Sequence, residues 1–315
     1  MARPQRTVLE YRNYELPSDF PIVLLTGDKW HISPVPGKHL HFHNCLEIGI
    51  CHSSGGTMIF DNQKVHFHSG DVTCIARNVP HTTWSDEAEP SLWSYLFLDP
   101  SLLLGHTMID PNSLWQNKSF FSESHLILDP EEHPWAKQYV ENIISEMTEK
   151  APGYKLCVRC LCAALLINLQ RIYNAEDTLN ARDPYIHSIS PALDYIYDQY
   201  MSSFPQDRLA ELCHLSPTHF RRIFKEQIGT TPLNFLHQTR ILKSCSLLRS
   251  SELSIAQIAE TVGYNSLSSY SRHFLETMGC SPNTWRKTSD DNKRPSLITC
   301  SGWTEAEAFE SDNEK

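Results

Sequence analysis

Hydrophobic and polar positions change their period twice along this chain. Between about Phe20 and Leu98, short runs alternate apolar and polar residues: LHFHNCLEIGI, GTMIFD, KVHFH, DVTCIA, HTTWS and LWSYLFL. SerSerGlyGly at 53–56, AspAsn at 61–62, SerGly at 69–70 and AsnValPro at 78–80 separate them. Period-two alternation broken by turn residues at such close spacing predicts an all-β sandwich or barrel. From Pro134 to about Tyr173 the period becomes helical, and Pro152 and Gly153 end one helix and launch the next. The second of these, LCVRCLCAALLINLQRIY, is apolar on more than one face, so it is expected to pack on the β domain and on another subunit. These segments form a first domain over 1–175, followed by a polar linker at 176–188. Residues 189–288 read as short helices with tight turns, and 289–315 as a polar, acidic, disordered tail.

The helical third contains a repeat at an offset of 50 residues. SPTHFRRIFKEQIGTTP, from Ser216 to Pro232, aligns with SLSSYSRHFLETMGCSP, from Ser266 to Pro282. Each copy follows a short helix with a small residue, Ala210 in one and Ala259 in the other, suited to a close helix crossing. Ser216 and Ser266 stand where N-caps belong, accepting from orphan amides of the second helices. Phe220, Ile223 and Phe224 share one face, as do Tyr270 and Phe274, and these faces should be core. Gly263 permits a turn that a side chain resists. Opposite the core, the first unit shows Thr218, Arg221, Arg222 and Lys225; the second shows Ser268, Ser271 and Arg272. Such a face fits a DNA major groove, where Arg pairs with guanine and hydroxyls meet several base edges. A long helix near 233–248 would join the units, holding them about one DNA turn, roughly 34 Å, apart. The plain alternative is that these arginines are solvated surface, but duplication of cap, core and cationic face argues against it.

The formal charge of −10 looks wrong for a DNA binder until it is divided. From Pro205 to Arg294 there are 12 Lys/Arg against 8 Asp/Glu, net +4; the remainder carries 15 against 29, net −14. A modestly basic segment on an acidic body suits two parts with different partners. Most of the ten cysteines lie in apolar periodic segments, so reduced structural thiols are expected; Cys157, Cys160 and Cys162 fall on three sides of one helix, which suits no single metal. The N-terminus has no apolar stretch of signal-peptide length and no run approaches a membrane span, so a cytoplasmic protein without membrane contact is expected.

Residues from about Ser190 to Lys287 resemble the DNA-binding domain of AraC/XylS-type transcription regulators. GlyTyrAsnSer at 263–266, Arg240 with LeuLeu at 247–248, and GlyCysSerPro through TrpArg at 279–286 carry the resemblance. It implies that the second helix of each unit enters the major groove, with Thr218, Arg221, Arg222, Ser268, Ser271 and Arg272 reading bases and Lys225 near phosphate. Leu275 departs from the family's usual lysine, Ser244 from its alanine and Tyr270 from its phenylalanine.

In a strand, residues 39, 41, 43, 45 and 47 of His39-Leu-His-Phe-His-Asn-Cys-Leu-Glu47 face one way. Two histidines and a carboxylate directed inward can hold a divalent metal, with His81 after Pro80 as a further ligand. HxHxxxE, GlyAsp at 70–71 and ProHis at 80–81 are similar to the two cupin motifs. That resemblance implies a cupin-like barrel as effector domain, with the following helix pair as a homodimer contact. Three readings of His41, His43, Glu47 and His81 stay open: a divalent metal site, a pocket for a small polar effector, or structural histidines. His39 is placed near the rim, and His66 and His68 on another strand. Trp30, Trp84 and Trp93 suit core; Trp84 is carried as the residue able to stack on a sugar ring, a carbohydrate being the effector the family resemblance favours.

These readings predict a two-domain protein, a cupin-like barrel with two helices followed by an all-α double helix-turn-helix domain. Its function would be that of an effector-controlled, homodimeric DNA-binding regulator, an activator by resemblance, with RNA polymerase as a further partner and no required cofactor. The rivals are a cupin metalloenzyme, a sugar isomerase or dioxygenase, fused to a DNA-binding domain, and a constitutive DNA binder whose barrel only dimerises.

Overall fold

The computed structural model describes residues 9–12, 14, 16–17, 19–37, 40–60, 63–86, 89–105, 120–121, 125–176 and 188–287. His39, the AspAsn turn at 61–62, most of the expected linker and the expected tail lie outside the described residues. The chain divides into two compact units with the main boundary between Arg182 and Asp183.

The N-terminal unit is built on β1 (Leu9–Arg12), β2 (Ile22–Leu25), β3 (His31–Ile32), β4 (Leu40–His43), β5 (Leu46–Ser53), β6 (Gly56–Phe60), β7 (Gln63–Phe67), β8 (Val72–Ile75), β9 (His81–Ser85), β10 (Ser91–Leu98) and β11 (His125–Leu128). One sheet has the order β1-β4-β9-β6-β7, the other β11-β8-β5-β10-β2, with β3 paired to β10 off the path. The strand order closes neither sheet on itself, and this corrects the barrel expected from the sequence. Alternation of apolar and polar residues marks an inner and an outer face, which a sandwich and a barrel share. Closure depends on the pairing of edge strands, which alternation does not encode. The inner faces meet directly: Phe67 of one sheet stands 4.9 Å from Trp93 of the other, ring centre to ring centre, and Phe60 stacks on His125 at 4.6 Å.

The run LHFHNCLEIGI is not one strand. It breaks at Asn44–Cys45, and its halves β4 and β5 enter different sheets. Asn44 fixes the break by bonding the backbone of Tyr14 twice, accepting from its N–H at 2.7 Å and donating to its carbonyl at 2.9 Å. The residues of 39–47 therefore do not share one strand face, and His41 and His43 reach Glu47 across the gap between sheets. After α1 (Pro100–Leu104), helices α2 (Pro134–Glu149) and α3 (Tyr154–Glu176) pair on either side of Lys150, whose left-handed φ of 51° ends α2. By length and a mean hydropathy of 1.4, Tyr154–Ala175 is apolar enough to cross a membrane, contrary to the sequence expectation. Val158, Cys162, Leu165, Leu166 and Leu169 are buried along it, which is the pattern of a packed helix.

The C-terminal unit runs α4 (Ser190–Gln199), α5 (Gln206–Leu212), α6 (Pro217–Ile228), α7 (Pro232–Ser250), α8 (Ile255–Thr261), α9 (Leu267–Met278) and α10 (Pro282–Lys287). The central α7 serves both repeats. Phe235 near its start meets Phe224 at 5.7 Å, while Ile241, Cys245 and Leu248 join a core of Ile258, Val262, Tyr264, Tyr270, Phe274 and Trp285. Full burial of each such side chain stabilises by roughly 1.5–3 kcal/mol. Arg240 is buried on α7 and ties this frame together, donating to the carbonyls of Tyr200 at 2.7 Å and Ser202 at 3.0 Å.

Candidate nucleic-acid interface and histidine–glutamate cluster

The two copies fold alike residue by residue. Ser216 caps α6 by accepting from the His219 amide, and Ser266 caps α9 by accepting from the Ser269 amide, each at 3.4 Å. Gly229 and Gly279 close the same helices in the left-handed region, with φ of 76° and 70°. Phe220, Ile223 and Phe224 are buried on α6, Tyr270 and Phe274 on α9. Thr218, Arg221, Arg222 and Lys225 are exposed on the opposite face of α6; on α9 Ser268 and Arg272 are exposed and Ser271 is half-buried.

The turns that lead into these helices differ by one residue. The Leu215 amide donates to the Ala210 carbonyl, and the Tyr264 amide to the Ala259 carbonyl, both at 2.9 Å. The offset is thus 49 before the recognition helices and 50 within them, with Asn265 inserted. His214, at φ 53°, consequently takes the left-handed position that Gly263, at φ 90°, takes in the second unit. Nothing in the 50-residue alignment flagged His214.

Arg222 donates to both carboxylate oxygens of Glu226 at 3.1 and 3.2 Å, and Arg272 lies 3.6 Å from Glu276. His273 is not plain surface: its ring stacks on His237 of α7 at 4.0 Å and lies 3.2 Å from Arg272. Burial, then the neighbouring His273, Arg240 and Arg272, push the His237 imidazole down to about 4.

In the N-terminal unit, β4 and β9 pair with His41 opposite His81, and both rings reach toward β5. Ligand atoms of His41, Glu47 and His81 lie within 4.8 Å of one another. The Nε2 atom of His43 is 3.1 Å from a Glu47 carboxylate oxygen, and that of His81 is 3.8 Å from it. The other ring nitrogens are committed: His43 Nδ1 lies 2.9 Å from the Cys45 carbonyl and His81 Nδ1 2.9 Å from the Val79 carbonyl. A carbonyl only accepts, so each Nδ1 carries a hydrogen toward it and Nε2 is the ring atom turned toward Glu47. Burial lowers the His43 imidazole against the opposing pull of Glu47, and burial with the charge of Arg12 lowers His41 further. For Glu47, burial pushes the carboxyl up, but His43 and His81 together outweigh it and hold it well below the carboxylate range. The close ligand atoms of His41, Glu47 and His81 form a donor set of the kind that suits a divalent cation.

Of the remaining candidates, Trp84 does not join the cluster. It alternates with His81 along β9 and lies opposite Thr57, on the outer face of the sheet. Trp30 and Trp93 are core. His66 and His68 are exposed. Sequence reasoning missed Arg12, which β1 places opposite His43 and which is buried beside the cluster. Its signal is the short LEYR run at Leu9–Arg12.

Twin capped helices with cationic, hydroxyl-bearing outer faces on a common frame define a sequence-specific DNA-binding protein of the helix-turn-helix class. Residues 209–288 match the family model described as a helix-turn-helix domain. The chain is 27% identical over 281 residues to an HTH-type transcriptional regulator of Haemophilus influenzae, covering 82% of this chain and 91% of that one. It is 24% identical over 254 residues to the HTH-type transcriptional activator RhaS of Escherichia coli, covering 79% and 88%. Among solved structures, the C-terminal domain of the response regulator AraT from Geobacillus stearothermophilus is 34% identical, covering 32% of this chain and 84% of that one at a TM-score of 0.30. The chain is similar over most of its length to AraC/XylS-type transcription regulators, with an N-terminal β domain before its C-terminal helix-turn-helix region. Its relatives are transcription regulators, and the chain is a DNA-binding regulator of that kind.

Proposed function

We propose that α6 and α9 read bases in successive major-groove segments of one duplex, through Thr218, Arg221, Arg222, Ser268, Ser271 and Arg272, with Lys225 at a phosphate. The duplicated cap, core and exposed cationic stripe is the observation that carries this reading. The N-terminal sandwich is the sensing unit, and the chain acts as a homodimer in the cytoplasm, where it meets its DNA. Leu156 and Cys160 are exposed along α3, at a spacing that continues through Ala163 and Ile167, and this apolar stripe supports the dimer. Effector control requires a ligand that binds one arrangement of the DNA-binding units better than the other. A small polar effector, with carbohydrate as the first class to try, is the ligand assigned to the His41, His43, Glu47 and His81 cluster, and activation through RNA polymerase is the assigned output. Selection of duplex DNA from a random pool by the full chain, with and without candidate sugars, tests this. Enriched two-part sites are expected, and a pool that never converges overturns the reading.

A second reading of the sensing site rests on the ligand atoms of His41, Glu47 and His81, which lie within 4.8 Å of one another. These three are suited to hold a divalent transition metal, which would fix β4, β5 and β9 together, while His43 stands outside the set, 3.1 Å from the Glu47 carboxylate. His81 is already oriented for that role by its Nδ1 bond to a backbone carbonyl.

A further inference from the structure

The two recognition helices share stripe positions but not chemistry. Opposite its buried aromatic pair, α6 presents Thr218, Arg222 and Lys225, with Arg221 at the edge; α9 presents Ser268, Arg272 and Leu275, with Ser271 at the edge. Leu275 is the counterpart of Lys225 at the 50-residue offset and is 55% exposed. It follows Ser268 by two helical turns and Arg272 by three residues, so it shares their face. The hydrophobic core of this repeat, with Tyr270, Phe274 and Trp285, is on the other side of α9 and does not include it.

In the major groove the base edges offer donors, acceptors and one apolar group, the 5-methyl of thymine. A leucine that continues a groove-facing stripe of serine and arginine matches that group alone. Against guanine, cytosine or a phosphate it would strip water from polar atoms and return no hydrogen bond. We infer that Leu275 packs against a thymine methyl and makes the DNA half-site of α9 thymine-dependent, whereas α6, with Arg221, Arg222 and Lys225, supplies most of the salt-sensitive affinity. The inference rests on the DNA reading proposed above and adds a base preference to one of its two halves.

The test uses the full chain and the duplex it selects from a random pool, resynthesised with deoxyuridine in place of thymidine in one half-site at a time. Deoxyuridine removes only the 5-methyl. Each contacted methyl lost from the α9 half-site is expected to weaken binding about four-fold, equivalent to about 0.8 kcal/mol. The same replacement in the α6 half-site is expected to change nothing. Leu275→Ala should bind both duplexes equally, and Leu275→Lys should also steepen the dependence of log affinity on log salt by about one unit. Wild-type indifference to deoxyuridine, or a deoxyuridine effect that survives Leu275→Ala, overturns the inference while leaving DNA recognition intact. A pool that yields no enriched duplex overturns the DNA reading itself, and this inference falls with it.

Discussion

Arg222 holds both carboxylate oxygens of Glu226 with one guanidinium nitrogen, and the repeat-related Arg272 approaches Glu276 in the same i,i+4 relation. Both arginines are more than half exposed, at 54% and 62% of their side chains. An exposed helical pair of this kind stabilises by about 0.3–0.5 kcal/mol, whereas a bidentate contact of Arg to guanine discriminates by about 1–3 kcal/mol. On the proposed DNA reading, the duplex therefore wins the guanidinium from the glutamate.

Replacing either arginine is expected to expose this difference. Arg222→Ala and Arg272→Ala should each cost about 1–3 kcal/mol in binding to a selected duplex and relax the preference at one base position. Titration against a panel of single-base variants reads the outcome. A uniform loss on every duplex would reassign that arginine to the phosphate backbone.

Removing the competitor should act in the opposite direction. Glu226→Gln deletes the exposed pair and a negative charge beside the groove, and is expected to strengthen DNA binding about two-fold at low salt. The gain should shrink as salt rises, because the interaction is screened. Weaker binding by Glu226→Gln would mean that Glu226 serves by aiming Arg222.

The helical repeat was legible because its devices are local. Ser216 and Ser266 as caps, Gly229 and Gly279 as stops, and Phe224 and Phe274 as core all declare themselves within a few residues. The β domain declared its strands but not its closure, since the edges β1 and β2 pair with β4 and β10, far away in sequence. Asn44 hid the break between β4 and β5, because its partner is the backbone of Tyr14, thirty residues earlier. Trp84 was assigned by residue type, and only its parity with His81 on β9 shows that it faces outward.

Stability of the helical unit should depend on pH through His237. Its folded-state value of about 4 lies below the ordinary 6.5, so the neutral ring is the folded form. The stabilisation is complete above pH 6.5 and is lost as pH falls from 6.5 toward 4, because the unfolded chain takes up a proton that the folded one refuses. Tyr264 stacks on the ring at 5.5 Å, and the charged or titratable neighbours His273, Arg240 and Arg272 all disfavour its charge. Denaturant midpoints of the full chain between pH 6.5 and 5 should fall for the wild type and fall less for His237→Gln. Parallel slopes would assign the acid sensitivity elsewhere.

The two turns predict unequal tolerance at matched positions. At Gly263 an added Cβ would sit 2.4 Å from the Met201 carbonyl oxygen, at φ 90°. Gly263→Ala should therefore cost more than the roughly 1–2 kcal/mol of the left-handed backbone alone. His214 already tolerates φ 53°, and His214→Gly should be nearly neutral, within about 0.5 kcal/mol. There, relief of the left-handed cost is offset by the extra freedom glycine gives the unfolded chain. Thermal unfolding of both variants decides, and an Ala at 263 as stable as wild type would refute the close approach.

The His43–Glu47 contact makes the sharpest demand on the sensing unit. With Nδ1 of His43 and His81 bound to carbonyls, the Nε2 atoms facing the carboxylate can be satisfied by a cation among them, by a proton within the cluster or by a donor on a bound ligand. Burial lowers His43, which works against a proton on its ring near neutral pH, and the metal reading is tested directly. The full chain, exhaustively dialysed, is expected to retain about one divalent ion by elemental analysis, and His81→Ala to lose it. Chelation should lower the unfolding temperature, and returning zinc should restore it, by about 2.7 kcal/mol of stability at a free concentration of 100 Kd. A chain that carries no ion and whose unfolding ignores zinc would give the cluster to a polar organic effector, whose hydroxyls can donate to the same Nε2 atoms.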